Sequence, residues 1–185
     1  MVKVFIDIFS KDEMISDSCP IVISPEFNGA IIEVKSKVIL KSGDNDFGIG
    51  ETPDESEESK EKPEPTGDAK KTEKVIDLVE GFNLKYVSYS KKEYLAYLKT
   101  FILSLIKNLT DNGKSSRIPD FKKGASAFVA FINNDFDNFK FYAGESLNAA
   151  EGSLAAAYYK PGVSEATFYY FADALIGKEY KIHKQ

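Results

Sequence analysis

The chain contains very little of the side-chain chemistry on which most catalytic sites depend. Its 185 residues include a single cysteine, Cys19, and a single histidine, His183. One cysteine cannot form an internal disulfide, which is typical of a reducing compartment. His183 lies in a basic segment beside the end of the sequence, where we expect fraying, so it is a poor candidate for a catalytic triad or general base. We therefore predict no catalytic residues and a protein that is not an enzyme.

Motifs that hold phosphates or metal ions are also missing from the sequence. Residues 46–50 (DFGIG) contain one Gly-x-Gly pair, but nucleotide-binding loops need a third glycine or a following Lys-Ser/Thr. Cysteine and histidine are too few to build a zinc site. The numerous carboxylates suit calcium, which needs only oxygen ligands, although residues 44–46 (DND) lack the later ligands of an EF-hand. Any calcium binding is therefore expected to be weak, and its location stays unknown.

Long apolar runs and excess positive charge are two further absences. No segment approaches the roughly 20 apolar residues of a membrane span, and Asp7 interrupts the region where a signal peptide would be apolar. The net charge is −5, which disfavours a broad phosphate-binding surface. We predict a cytoplasmic protein with no membrane span and no nucleic-acid partner.

One segment has almost no apolar side chains. Residues 51–74 contain nine acidic residues, five lysines and three prolines, and nothing apolar larger than Ala69. Such a segment cannot bury enough surface to offset the ~1–2 kcal/mol per residue of backbone ordering entropy. We predict a disordered acidic loop over 51–74, inside a single domain that spans residues 1–185, because long loops are tolerated at small entropic cost.

The remainder of the chain is rich in residues that can form a core. Hydrophobic residues make up 43% of it, including 14 Phe and 10 Tyr. Short or alternating apolar runs between turn residues predict strands, and 2–9 should have one well-buried face. Residues 10–13 (SKDE) are predicted to be a turn. The predicted strands are 2–9, 20–24, 30–34, 37–41, 75–79, 82–89, 139–143, 155–159 and 167–171.

Two helices are predicted among these strands, joined as a hairpin over residues 90–134. Ser90 and Glu93 have the spacing of a capping box, and apolar residues then recur at helical spacing over four to five turns. Gly113 can supply the left-handed residue that ends the first helix, and Pro119 fits the first turn of the second. Strands on both sides of a helical hairpin predict an α+β fold with a mainly antiparallel sheet.

The predicted hairpin is basic. An exposed basic face favours electrostatic contact with an acidic partner, the alternative being an ordinary solvated helix face. Lipid surfaces are a weaker alternative, because the apolar stripe is needed for packing. The basic residues are Lys91, Lys92, Lys99, Lys107, Lys114, Arg117, Lys122 and Lys123.

Several short motifs, in their order along the chain, resemble those of the translationally controlled tumor protein (TCTP) family. Each motif is weak alone, but together they cover essentially the whole sequence, which makes the resemblance specific. They are SKDEMISD at 10–17, DFGIG at 46–50, VIDLV at 75–79, SKKEY at 90–94, FYAGESL at 141–147 and KPGVS at 160–164.

The resemblance implies a β-tent related to a chaperone of Rab GTPases, with a projecting helical hairpin and a mobile acidic loop. It further implies a growth-linked protein that binds calcium weakly and interacts with tubulin and microtubules. It implies contact with a Rheb-like small GTPase through Asp12, Glu13 and Glu145. The hypothesis for tubulin is the basic hairpin face, which carries Lys91, Lys92, Lys99, Lys107, Lys122 and Lys123.

The residues themselves leave alternatives open. Glu13 lies in a predicted turn and can instead cap a backbone amide, and Glu145 can make a structural hydrogen bond. The resemblance also implies an alternative function, that of an unconventionally released histamine-releasing factor. The sequence departs from the family pattern at 51–52, where Glu-Thr replaces the usual Asn-x-Ser. It also lacks a terminal cysteine, so disulfide-linked dimers are not expected and we predict a monomer.

Overall fold

The computed structural model describes residues 2–42, 72–147 and 152–180, and divides the chain into two units. One unit comprises residues 1–37 and 78–185, and the other comprises residues 38–77. Within the described ranges there are eleven strands and three α-helices. The strands are β1 Val2–Asp7, β2 Glu13–Ser16, β3 Ile21–Ile23, β4 Ile31–Lys35, β5 Val38–Ser42, β6 Thr72–Ile76, β7 Lys85–Val87, β8 Phe139–Ala143, β9 Ala155–Tyr158, β10 Thr167–Phe171 and β11 Leu175–Tyr180; the helices are α1 Asp77–Phe82, α2 Lys91–Asp111 and α3 Ile118–Asp135.

The larger unit contains two antiparallel sheets. The first has six strands in the order β3-β4-β10-β9-β8-β7, and the second has three strands in the order β11-β1-β2. In the second sheet β1 lies in the middle, paired with β11 from Val2↔Tyr180 to Asp7↔Leu175. The predicted α+β class with mainly antiparallel sheets is confirmed.

The helical hairpin has the capping box that the sequence predicts, and α3 ends at Asp135, one residue beyond the predicted bound of 134. The Ser90 hydroxyl accepts from the Glu93 amide at 3.1 Å, and the Glu93 carboxylate accepts from the Ser90 amide at 2.9 Å. Gly113 adopts a left-handed φ of 71° after α2, and Pro119 lies in the first turn of α3. The capping box and the turn at Gly113 satisfy backbone groups that the ends of α2 would otherwise leave unpaired. No helix in the described part of the chain is long and apolar enough to cross a membrane.

Ser90→Ala is expected to destabilise the protein by about 1 kcal/mol, because it removes the side-chain half of the capping box. Urea unfolding followed by circular dichroism measures the change. Thr110→Ala is the matched control: its hydroxyl donates to the Ile106 carbonyl inside the helix at 3.0 Å, so its loss should cost little. An equal effect in both variants would contradict the capping role of Ser90.

An aromatic core joins the hairpin to the six-stranded sheet. Tyr94 of α2 stacks on Phe141 of β8 with ring centroids 3.8 Å apart, and Phe128 of α3 meets Phe171 of β10 edge-on at 5.5 Å. Burial raises the pKa of Tyr94, and burial with the neighbouring charges raises the pKa of Tyr97 well above its usual range. The aromatic residues thus fill a sizeable core, as predicted.

The smaller unit contains a two-stranded ribbon. β5 pairs antiparallel with β6 from Val38↔Ile76 to Ser42↔Thr72. Of the predicted acidic loop, residues 51–71 lie outside the described residues, and the disorder predicted there stays a prediction. The boundary at residue 74 is wrong, because residues 72–74 belong to β6 and hydrogen-bond with β5.

Three strand predictions are also wrong in their extent. The predicted strand 82–89 is only Lys85–Val87, because Phe82 belongs to α1 and residues 88–90 lead into α2. The apolar run 75–79 is not one strand: β6 ends at Ile76, and α1 begins at Asp77 with Leu78 buried. A short apolar run cannot be assigned to strand or helix by periodicity alone. The predicted strand 2–9 ends at Asp7, and its other side chains are only half-buried while Asp7 is fully buried. The expected well-buried apolar face of this strand is therefore not present.

Candidate partner-binding surface

A buried carboxylate shapes the chain just before the predicted acidic residues. Asp7 accepts hydrogen bonds from the amides of Phe9 and Ser10, each at 3.2 Å, and from the Ser10 hydroxyl at 2.6 Å. It also accepts from the amide of Ser153 at 2.8 Å. Four donors replace the water that this carboxylate loses on burial. Asp7 therefore fixes the turn after β1 and ties it to the segment before β9.

Asp12 makes the next long-range connection. Its carboxylate accepts from the Ser146 hydroxyl at 2.7 Å, and both of its oxygens lie 3.3 Å from the Ser146 amide. The Asp12 amide donates in turn to the Ser10 hydroxyl at 3.2 Å. Because Glu13 follows Asp12 and Glu145 precedes Ser146, these bonds bring together the segments that carry all three predicted residues. We call Asp12, Glu13 and Glu145 the acidic surface.

The close approach of these segments depends on a glycine. A Cβ atom added to Gly144 would meet the Asp12 side chain, with the Asp12 Cβ only 2.5 Å away. Such a contact forces one of the two segments to move. Gly144 thus lets Asp12 reach Ser146. Neither Gly144 nor Ser146 is among the predicted site residues, although both lie in the motif at 141–147.

The structure places Glu13 differently from the prediction. Glu13 is the first residue of β2, paired with Ile6 of β1, and not part of a turn. The carboxylate that accepts backbone amides here is that of Asp12, whereas Glu13 and Glu145 are exposed. Leu147, which follows the turn at residues 145–146, has a left-handed φ of 59° and is 52% exposed. The surface therefore combines exposed carboxylates with one exposed leucine held in an unusual conformation.

The predicted basic face lies on the hairpin. All six of its lysines, Lys91, Lys92, Lys99, Lys107, Lys122 and Lys123, are exposed. Lys92, Lys99 and Lys107 follow one another at spacings of seven and eight residues, which place them on one side of α2. That side points away from the buried stripe of the same helix, which contains Leu98 and Leu105. Lys107 pairs with exposed Asp111 at 2.9 Å, a surface ion pair that contributes little to stability.

A shallow groove crosses the hairpin beside this face. It has a volume of about 290 Å³ and is lined by Ile102 of α2 and by Lys122, Ala125, Ser126 and Val129 of α3. Among the described residues, no group of three or more His, Cys, Asp or Glu is arranged to hold a metal ion. Calcium binding stays a prediction.

Comparisons with known proteins give one consistent result. The family model described as "Translationally controlled tumour protein" matches residues 2–176. The "Translationally-controlled tumor protein homolog" of Plasmodium chabaudi chabaudi is 40% identical over 182 residues, covering 96% of this chain and 99% of the relative. Homolog 1 of Dictyostelium discoideum is 36% identical over 180 residues, with coverage of 96% and 99%.

Solved structures agree in fold. The translationally controlled tumor-associated protein p23fyp from Schizosaccharomyces pombe superposes with a TM-score of 0.74 at 25% identity, covering 97% of this chain and all of the other. A TCTP structure from Caenorhabditis elegans, at 23% identity, has a TM-score of 0.64 and covers 98% of this chain and all of the other. The second likeness concerns the fold alone.

Proposed function

The chain belongs to the translationally controlled tumour protein family, and from this premise we propose that it is a cytoplasmic, non-enzymatic, multi-partner binding protein whose acidic surface engages a Rheb-like small GTPase. The observation that carries the proposal is the set of hydrogen bonds from Ser146 to Asp12. They hold two acidic segments, 134 residues apart in sequence, in one fixed arrangement before any partner arrives. Preorganisation of this kind lowers the ordering entropy that binding costs.

Within this surface the residues have different roles. Asp12 is a positioning residue, because its carboxylate is occupied by Ser146. Glu13 and Glu145 are exposed, so their carboxylates are available to basic side chains of a partner. Charges at the edge of an interface mainly raise the association rate and discriminate between partners. A GTPase that presents lysines or arginines near its nucleotide site fits this arrangement.

Nucleotide release from a purified Rheb-like GTPase tests the proposal. The wild-type protein is expected to bind the GTPase, and Glu13→Ala with Glu145→Ala should weaken binding roughly tenfold through loss of two charge contacts. Any acceleration of nucleotide release should fall with the binding. Glu26→Ala is the matched control, since Glu26 is an exposed glutamate on a different turn.

Two results would contradict the proposal. One is equal binding by the wild type and the double variant, which would make both glutamates irrelevant to the contact. The other is the absence of any binding by a wild type whose unfolding transition is intact.

A second proposed function is binding to tubulin and microtubules through the basic face. The observation that favours it is the row of Lys92, Lys99 and Lys107 on the exposed side of α2. The tubulin surface is acidic, so charge complementarity can steer the encounter. Such contacts weaken as salt shortens the screening length, which is about 10 Å at 0.1 M.

Microtubule cosedimentation at two salt concentrations tests this second function. Reversing all three charges to Glu is expected to abolish binding at low salt, and wild-type binding should weaken several-fold between 50 and 200 mM salt, on the order expected for a few screened pairs. Lys85→Glu is the control, because Lys85 is exposed on β7 outside the hairpin. Wild-type binding that does not change with salt would contradict the proposal.

Weak calcium binding and a monomeric state remain proposals from the family resemblance. So does the alternative function, an unconventionally released histamine-releasing factor. Recovery of the protein from culture medium free of lysis markers would support release. An NMR titration with calcium would locate the residues whose chemical shifts change. Changes confined to residues outside the acidic surface would show that calcium does not bind there.

A further inference from the structure

A pocket of about 480 Å³ lies at the C-terminal end of α2, and no residue of the acidic surface or the basic face lines it. Its apolar lining includes Ile8 in the turn after β1, and Leu175 and Ile176 of β11. Two lysines, Lys11 and Lys114, are also part of its wall. The volume falls within the range of pockets that hold small molecules, about 300–1,000 Å³.

The charge of the pocket is positive. Its one carboxylate, Asp173, is paired with Arg117, whose Nε and Nη2 donate to the two Asp173 oxygens at 3.2 and 3.1 Å. The Asp173 side chain is 14% exposed. A bidentate pair of this kind offsets the negative charge of the carboxylate. Lys11 and Lys114 are therefore left as the charges that a ligand would meet.

The carbonyl groups at the C-terminal end of α2 repel an anion only weakly. The carbonyl groups at a helix end carry partial negative charge and favour cations. Here the Asn108 carbonyl accepts from the amide of Asn112 at 3.1 Å and from its side-chain Nδ2 at 2.8 Å. The Leu109 carbonyl accepts from the Lys114 amide at 2.8 Å. The helix end that borders the pocket is thus covered by N–H groups.

Lys11 is held at the pocket in an uncommon backbone conformation. Its φ is 68°, in the left-handed region, and its amide donates to the Asp7 carbonyl at 2.9 Å. That region costs a side chain other than Gly, Asn or Asp about 1–2 kcal/mol. The left-handed residues Asn28 and Asn83 are of the tolerated type. A lysine at position 11 therefore keeps its side chain at the pocket at the expense of stability.

We propose that this pocket binds a small organic anion with an apolar body, such as a medium-chain carboxylate. The apolar chain would lie against Ile8, Leu175 and Ile176, and the carboxylate would be held by Lys11 and Lys114. The inference is independent of the proposed GTPase and tubulin contacts, because none of these five residues belongs to either surface. Contacts of the carboxylate with the lysines and of the alkyl chain with the apolar lining would give the pocket a preference for charge and for length together.

Fluorescence of 8-anilinonaphthalene-1-sulfonate, an amphipathic anion, serves as the first probe. The full-length protein should bind it, octanoate should displace it, and octanol at the same concentration should not. Lys11→Gly and Lys114→Ala should each weaken octanoate binding about three- to tenfold, the loss expected for one partly solvated charge contact. Lys11→Gly should at the same time raise the melting temperature by about 2–4 °C, through relief of left-handed strain.

Two control variants separate the pocket from general effects. Asn83→Gly relieves a left-handed residue outside the pocket and should leave octanoate binding unchanged. Lys122→Ala removes a lysine from the separate hairpin groove and should do the same. The proposal is overturned if octanol competes as well as octanoate, if the two pocket variants bind like wild type, or if Lys122→Ala is the variant that loses binding. Failure to bind either anion overturns it equally.

Discussion

Gly124→Ala is expected to destabilise the protein by about 2–3 kcal/mol, although alanine is the better helix former. Gly124 lies inside α3 and is buried. A Cβ atom built on it would overlap the carbonyl oxygen of Phe27 and lie 2.7 Å from the Cβ of Ala30. Alanine gains about 1 kcal/mol in helix propensity, but backbone that cannot move aside makes overpacking cost more than that gain. The helix would have to withdraw from the 25–30 segment.

Urea unfolding of the variant measures this loss, and the matched control is Gly81→Ala. Gly81 also lies in a helix, α1, and a Cβ there would meet nothing within 4 Å. That change should therefore stabilise the protein by about 0.5–1 kcal/mol. Opposite signs for the two substitutions are the expected result. Equal effects would mean that α3 shifts freely and that Gly124 is not needed for the approach to Phe27.

Asp7→Ala is expected to cost about 3–5 kcal/mol. The substitution removes the acceptor of four hydrogen bonds and leaves the donors of Phe9, Ser10 and Ser153 without it. A donor without a partner costs about 1–3 kcal/mol when it is buried, as that of Ser153 is, and less when it is half-buried, as those of Phe9 and Ser10 are. Asp7 is fully buried, so water cannot easily replace the carboxylate. Asp7→Asn should also destabilise, because an amide offers only one oxygen where the carboxylate offers two.

Unfolding by urea and hydrogen exchange at the three amides test this prediction together. Exchange at Phe9, Ser10 and Ser153 should accelerate in Asp7→Ala more than exchange in the hairpin. Asp17→Ala is the control: Asp17 is exposed and accepts a single amide, that of Lys3, at 3.1 Å. It should lose no more than about 1 kcal/mol. A similar small loss for Asp7→Ala would show that water or a rearranged turn satisfies these donors.

The hairpin could be predicted from sequence because its signals are local. Ser90 and Glu93 stand three residues apart, and the apolar stripe of α2 repeats at helical spacing, so neighbouring residues carry the information. By contrast, β2 and α1 have only four and six residues. Short elements of this kind are fixed by the strand or core that they meet, which a local pattern does not contain.

The acidic surface could be predicted only as a set of residues. The motifs at 10–17 and 141–147 named Asp12, Glu13 and Glu145, but the hydrogen bonds from Ser146 to Asp12 join positions 134 apart. The burial of Asp7 could not be predicted from the sequence either, because a carboxylate at the end of a strand is normally solvated. Its burial depends on donors from Ser10 and Ser153 that only the folded chain brings together.

The position of β1 in its sheet has a consequence for the order of folding during synthesis. One edge of β1 can pair with β2 as soon as both are made, whereas the other edge is paired by β11, at residues 175–180. Until the ribosome has passed that point, the second edge keeps free N–H and C=O groups of the kind that recruit chaperones or other chains. Closing so long a loop is also slow compared with forming a helical hairpin. The sheet around β1 is therefore expected to be completed late, only once residues 175–180 have been made.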